Sequence, residues 1–254
     1  MLNNKSLKYI YNNVYQQGKE SFFIYDSNTL IEHVLNVTDY SGKTVADFGC
    51  GEGDISIAVA RNGASVYAYD YSEEAISKAQ SKHDTKEISI KFVRSDILDV
   101  TGDYDVVLCL GTFEHLDDPL RVIKHFYGLV EKKKGKIVIA CPSFLNPRGY
   151  IWMTLQILLD VPMSLTDLHF FMPSDFESFA AELCMKLKWT TTDFHIASGQ
   201  ALIKDFSKRL PNALRDANFS NNNVAKFVNY LHEAVKYETA HPSSGAMAIY
   251  ILSF

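Results

Sequence analysis

This sequence has few cysteines, no long apolar run and no excess of basic residues, and each shortage removes a class of function. The four cysteines, Cys50, Cys109, Cys141 and Cys184, lie far apart without CxxC spacing. Neither a disulfide framework nor a zinc site is indicated. Three of them fall in or just after strand-like segments, where a thiol behaves as a small apolar group. The best apolar run, Tyr150–Leu159, is about half of what a membrane span needs. The N-terminal MLNNKSLKYIYNN is polar and lacks the apolar stretch of a signal peptide. A formal net charge of -5 argues against a broad nucleic-acid surface. The basic run Lys132–Lys134 reads instead as a helix end, where cations meet exposed carbonyls. Internal repeats and low-complexity linkers are missing as well. The expected setting is reducing and cytoplasmic, with no nucleic acid and no membrane span.

What is present is apolar bulk and a regular alternation. Apolar residues make up 47% of 254, enough for a sizeable core. Strand candidates are TVADF (44–48), SVYAY (65–69), ISIKFVR (88–94), YDVVLCL (104–110) and GKIVIAC (135–141). Several are apolar nearly throughout, as strands covered on both faces should be. Helix patterns fall between them. DISIAVARNG (54–63) stops at a glycine, Ser72 caps 72–82, and Asp118-Pro119 opens 118–130. Such βαβ alternation gives a doubly wound, mostly parallel sheet with helices on both faces.

Further along, 173–188 reads as a helix leading into a strand at 189–196, which would carry His195. Helices are expected near 200–214 and 222–239, and a last strand at 245–254. The economical reading is one domain over 1–254. It comprises an N-terminal helical segment (1–43), a core (44–142), and insertions at 143–172 and 197–243.

The segment VADFGCGEGDISI (45–57) is a strand, a glycine turn and a helix start, with Gly49, Gly51 and Gly53 in GxGxG spacing. Glycines let the backbone turn sharply and approach a ligand, and the helix N-terminus beyond presents exposed N–H groups. A glycine turn alone would also suit a dinucleotide fold. Asp70 ends the second strand about twenty residues on, where a carboxylate can take both ribose hydroxyls. After the third strand, Asp96 can accept from an adenine amino group while Ile97 packs on the ring. A dinucleotide enzyme would carry GxGxxG, but its third glycine position is Asp54 here.

These pieces, VADFGCGEGD, VYAYDYS, FVRSDI, YDVVLCLGTFEHLDDP and DLHFFMPSDFESF, resemble the class I S-adenosylmethionine-dependent methyltransferases. The similarity is to the branch with ubiquinone-biosynthesis O-methyltransferases and natural-product methyltransferases. The resemblance spans roughly Lys43 to Trp189. It implies S-adenosylmethionine as cofactor and a seven-stranded sheet whose last strand is antiparallel. It also implies that Asp47, Gly49 and Gly51 hold the methionine portion and Asp70 the ribose. Tyr71 would flank the adenine, with Asp96 and Ile97 at its edge, and Leu110 would lie beside the methionine amine. Some relatives place a further carboxylate upstream of the Glu114-His115 pair, completing a cation site. Here that position is Gly111, so no metal is expected.

Methyl transfer from a sulfonium chiefly needs alignment and exclusion of water, and a hydroxyl acceptor also needs a base. His115, beside Glu114 at the end of the fourth strand, is the first candidate and His169 the second. His195 and His241 are weaker, and Tyr11 and Tyr15 would close over the cofactor. The aromatic-rich insertions would line a pocket for a small-molecule acceptor or meet a second copy of the chain in a homodimer. A cofactor-binding regulatory or partner subunit without turnover fits the same loop and carboxylates.

Overall fold

Five of the short β-branched runs form parallel strands at the places the alternation predicts. The computed structural model describes residues 27–161, 167–239 and 241–254. Its strands are β1 (Thr44–Phe48), β2 (Ser65–Asp70), β3 (Ile90–Arg94), β4 (Val106–Leu110), β5 (Lys136–Pro142), β6 (Lys186–Thr192) and β7 (Met247–Ser253). They make one seven-stranded sheet in the order β3-β2-β1-β4-β5-β7-β6. β1 to β5 are mutually parallel, and β7 runs antiparallel between β5 and β6. The order reverses at β1, which lies between β2 and β4. A crevice opens at such a switch point, outside the carboxyl ends of the strands.

Helices cover both faces. They are α1 (Ser27–Leu35), α2 (Asp54–Arg61), α3 (Glu73–Lys82), α4 (Pro119–Val130), α5 (Pro147–Leu159), α6 (Pro173–Glu182), α7 (Phe194–Ala197), α8 (Gly199–Asp216) and α9 (Val224–Ala234). The caps read from sequence are in place. The Ser72 side chain accepts from Ala75 N and that of Asp118 from Arg121 N, with Pro119 in the first turn of α4. Alternate residues of β1 serve opposite cores: Ala46 and Phe48 join Phe113, Phe126, Phe176 and Tyr250, while Val45 joins Leu30, Val34 and Val59. This is the two-sided burial that makes the central strands apolar throughout. A third cluster binds the two insertions together, with Phe144 and Trp152 from one against Leu202, Phe206 and Leu231 from the other.

Two expectations are corrected. The helix predicted over 173–188 ends at Glu182, and the strand predicted over 189–196 runs from Lys186 to Thr192. Cys184 takes a left-handed conformation, φ 52°, and Met185 N donates to the Ala180 carbonyl. That closes the helix six residues before its apparent helix formers run out. Asp193, φ 61°, ends the strand, so exposed His195 lies on α7. The helices predicted at 200–214 and 222–239 appear as α8 and α9, the second followed by a 3-10 turn at Val235–Tyr237. Tyr11, Tyr15 and most of the N-terminal segment lie outside the described residues, as do 162–166 within the first insertion. Among the described residues no helix is long and apolar enough to cross a membrane.

Candidate active site

β1 delivers its chain into a turn that only glycine can make. Gly49 and Gly53 have φ of 72° and 83°, in the left-handed region that other residues avoid. A Cβ on Gly49 would overlap the Thr112 side chain, and one on Gly53 would meet the Phe92 ring. The turn is fastened to the end of β2. Gly49 N and Cys50 N both donate to the Tyr69 carbonyl, at 2.8 and 3.0 Å. Gly51 N donates to Asp70 Oδ2 at 3.0 Å, and Ser72 N to Asp70 Oδ1 at 2.8 Å. Asp70 is therefore a buried hinge between the loop and α3. Burial pushes its carboxyl above the usual carboxylate range, while backbone N–H bonds from Ser72, Gly51 and Tyr71 pull the other way.

Asp47 lies beneath the same turn, 3% exposed. It accepts from Ser56 Oγ in the first turn of α2. Burial raises its carboxyl to about 6, against the Ser56 hydrogen bond and helped by repulsion from Asp70. Two buried carboxylates thus share one crevice. Among the described residues no Lys or Arg forms an ion pair with either. Buried carboxylates are ordinarily matched by a cation or a full set of donors. Tyr71 is half-buried beside them, its phenol raised by burial and by Asp70. Asp96 is exposed and caps the 3-10 turn Ile97–Asp99 by accepting from Leu98 N at 3.1 Å. Ile97 and Leu110 are half-buried at the same carboxyl end of the sheet.

The second constellation follows β4, on a 3-10 turn at Phe113–His115. Phe113 plugs the core, which draws Glu114 inside as well, 4% exposed. Burial lifts the Glu114 carboxyl to about 8, opposed by its own backbone N–H and aided by the charge of Asp167. Its Oε2 has no hydrogen-bond partner among the described residues. His115 sits between two carboxyls, Nε2 3.8 Å from Glu114 Oε1 and Nδ1 3.5 Å from Asp167 Oδ1. His169 is committed elsewhere: its Nε2 donates to the Leu116 carbonyl at 2.7 Å, and its ring stacks on Phe171. His195 and His241 are exposed, and the His241 ring is engaged by Ser243. Among the described residues no group of three His, Cys, Asp or Glu could hold a metal ion.

Sequence reasoning missed Ser56, Thr112 and Asp167. A serine at the first helical turn is a weak signal by itself. Thr112 and Asp167 carried none, because what matters in each is a neighbour distant along the chain.

Comparisons with known proteins find methyltransferases. The sequence profile of a methyltransferase domain matches residues 45–133. A ubiquinone biosynthesis O-methyltransferase from Pseudomonas paraeruginosa is 29% identical over 181 residues, 67% of this chain and 77% of the relative. One from Coxiella burnetii is 37% identical over 125 residues, 48% of this chain and 53% of the relative, so the match spans about half that relative's length. Among solved structures, an S-adenosylmethionine-dependent methyltransferase from Thermotoga maritima superposes with TM-score 0.61 at 12% identity, covering 96% of this chain and 98% of its own. The magnesium protoporphyrin IX methyltransferase of Synechocystis, solved with S-adenosylhomocysteine, gives 0.51 at 20% identity, covering 76% and 82%. The sheet order with its antiparallel β7 and the glycine turn tied to Asp70 stand beside these likenesses: residues 45–133 match a methyltransferase domain, and the chain is similar to S-adenosylmethionine-dependent methyltransferases.

Proposed function

We propose that this protein moves a methyl group from S-adenosylmethionine to an oxygen of a small-molecule acceptor, with nitrogen as the less supported alternative. The observation that carries the reading is the pair of buried carboxylates, Asp47 and Asp70, gathered by the glycine turn with no Lys or Arg ion pair among the described residues. A ligand with an ammonium group and a ribose diol supplies what they lack. Asp47, Gly49 and Gly51 would hold the methionine portion and Asp70 the ribose hydroxyls, with Tyr71, Asp96 and Ile97 around the adenine and Leu110 beside the amine. The cofactor, when bound, supplies an electrophilic methyl on a good leaving group, so no nucleophile on the enzyme is needed.

The protein's own task is placement and proton management. His115, at the carboxyl end of β4, would take the acceptor's hydroxyl proton. His169, with Nε2 on the Leu116 carbonyl, would hold the loop over the site and not act as base. The preference for oxygen draws on the names of the Pseudomonas and Coxiella relatives. The chain as one domain, with both insertions forming a single cap over the acceptor, is supported by the apolar cluster they share.

Calorimetry with S-adenosylmethionine and S-adenosylhomocysteine tests the cofactor half. One-to-one binding is expected, weakened about a hundredfold in Asp70→Ala through loss of charge-assisted bonds. Absence of heat with both molecules overturns the reading. Methyl-labelled cofactor offered with a panel of phenols, catechols and amines tests the acceptor half, and His115→Ala should slow any turnover by about a hundredfold or more.

A further inference from the structure

Asp167 belongs to neither the glycine turn nor the β4 loop, yet the fold brings its carboxylate to His115. Three hydrogen bonds stitch its segment to the turn that carries the imidazole. Leu168 N and His169 N both donate to the Glu114 carbonyl, at 2.9 and 3.1 Å, and His169 Nε2 donates to the Leu116 carbonyl at 2.7 Å. The His169 ring is in turn stacked on Phe171, itself in the core beside Phe113. Residues 167–169 therefore cannot shift relative to 113–116 without breaking this seam. Asp167 Oδ1 rests 3.5 Å from His115 Nδ1, and the two side chains are 15% and 14% exposed. At that depth a carboxylate's pull on an imidazole is weakly screened.

A carboxylate only accepts hydrogen bonds. Its attraction for Nδ1 is realised when that nitrogen carries the proton, as catalytic histidines are set by a third group elsewhere. The separation is slightly beyond a good hydrogen bond and closes with a small turn of either side chain, as such contacts do when ligands arrive. Glu114 is the second carboxyl beside the ring, but its Oε1 is 3.8 Å from Nε2, outside hydrogen-bond reach.

We propose that Asp167 is a positioning residue that holds His115 in the Nδ1–H tautomer, so that the Nε2 lone pair faces the acceptor. This rests on the reading of His115 as the base. In the proton step the acceptor's hydroxyl proton passes to Nε2, its electron pair stays on the acceptor oxygen, and the imidazolium charge is balanced by Asp167.

The test needs no identified acceptor. Proton–nitrogen correlation spectra of the imidazoles, with His115→Ala to assign the signal, report which nitrogen of His115 carries the proton. They are recorded on the full chain, unliganded and with S-adenosylhomocysteine. The Nδ1–H form is expected to dominate in the native protein, and its ratio to the Nε2–H form to fall about tenfold in Asp167→Ala. Asp167→Asn keeps the shape of the side chain and guards against a folding failure, with an intermediate ratio expected. An unchanged ratio in both variants, or a native protein dominated by Nε2–H, overturns the proposal. Calorimetry on the same samples keeps the two ideas separate. Lack of S-adenosylhomocysteine binding by the native protein sinks the cofactor reading, while the spectra of the unliganded protein still decide the role of Asp167.

Discussion

Asp47 is a carboxyl held almost out of water beneath the glycine turn, with no Lys or Arg ion pair among the described residues. Burial first, and Asp70 in addition, lift it to about 6 against the pull of Ser56. If the ligand's ammonium pairs with it, the ionised form is the one that binds. Affinity for S-adenosylhomocysteine should then be flat above about pH 6 and fall toward tenfold per unit below it. Calorimetry across that range checks this, and a pH-independent affinity would remove Asp47 from the amine. Glu114 makes a separate prediction. Its carboxyl rises from 4.5 to about 8 on folding, chiefly by burial. Between those values the unfolded chain has released a proton that the folded one keeps, so stability falls as pH rises. Above about pH 7, a unit past the Asp47 value, where that carboxyl is mostly ionised, the remaining slope up to pH 8 belongs largely to Glu114. Glu114→Gln should flatten it in thermal melts, and an equal slope in both proteins would contradict this. Asp70 and the glycines were legible in the sequence because strand, turn and acid follow one another at short range. Asp167 was not, since nothing near it announces that the chain will return to the end of β4.

At the scale of elements, the turn after β1 and the strand β4 are fitted to each other. A Cβ at Gly49 collides with Thr112, and the φ of 72° adds strain of its own. Gly49→Ala should therefore destabilise by more than about 2 kcal/mol and abolish cofactor binding, read by thermal melts and calorimetry. The insertions have an analogous joint. Asp205 on α8 accepts from Arg148 and Trp152 of α5 and from Arg209, and Arg209 also lies over the Trp152 ring. Burial would raise this carboxyl, but the two guanidiniums hold it below the usual range. Asp205→Ala leaves two cations and an indole N–H without their acceptor. The expected loss is about 2 kcal/mol, less than for a fully buried pair because both arginines reach water. Protease nicking of α5 and α8 ahead of the sheet would show that the loss is local. β6 shows where local pattern misleads. Lys186, Leu187 and Lys188 are good helix formers, so they read as the tail of α6. In the sheet the same residues alternate, with Leu187 and Trp189 packed against the core and both lysines outward on an edge. The left-handed turn at Cys184 is what separates the two readings, and a cysteine gives no warning of it.

For the molecule as a whole, the doubly wound sheet was readable because the central strands are buried on both faces, whereas the antiparallel direction of its closing strand came only from the family resemblance. The packing of the two insertions on each other was not, since an amphipathic helix does not say which apolar surface it will meet. Part of that surface stays uncovered: Ile157 and Leu158 on α5 are 70% and 72% exposed. Replacing both with serine should leave the melting temperature nearly unchanged, because neither contributes much burial. A large loss would show that they are covered in solution.

The position of β7 has a consequence for how the chain is made. β6 joins the sheet only through β7, which comes after it along the chain. A ribosome therefore delivers Lys186–Thr192 well ahead of the only strand it pairs with in the finished sheet. The newborn protein must carry an open edge, with its backbone donors exposed, through the synthesis of α8 and α9. Protection of that edge from other nascent chains falls to its outward lysines.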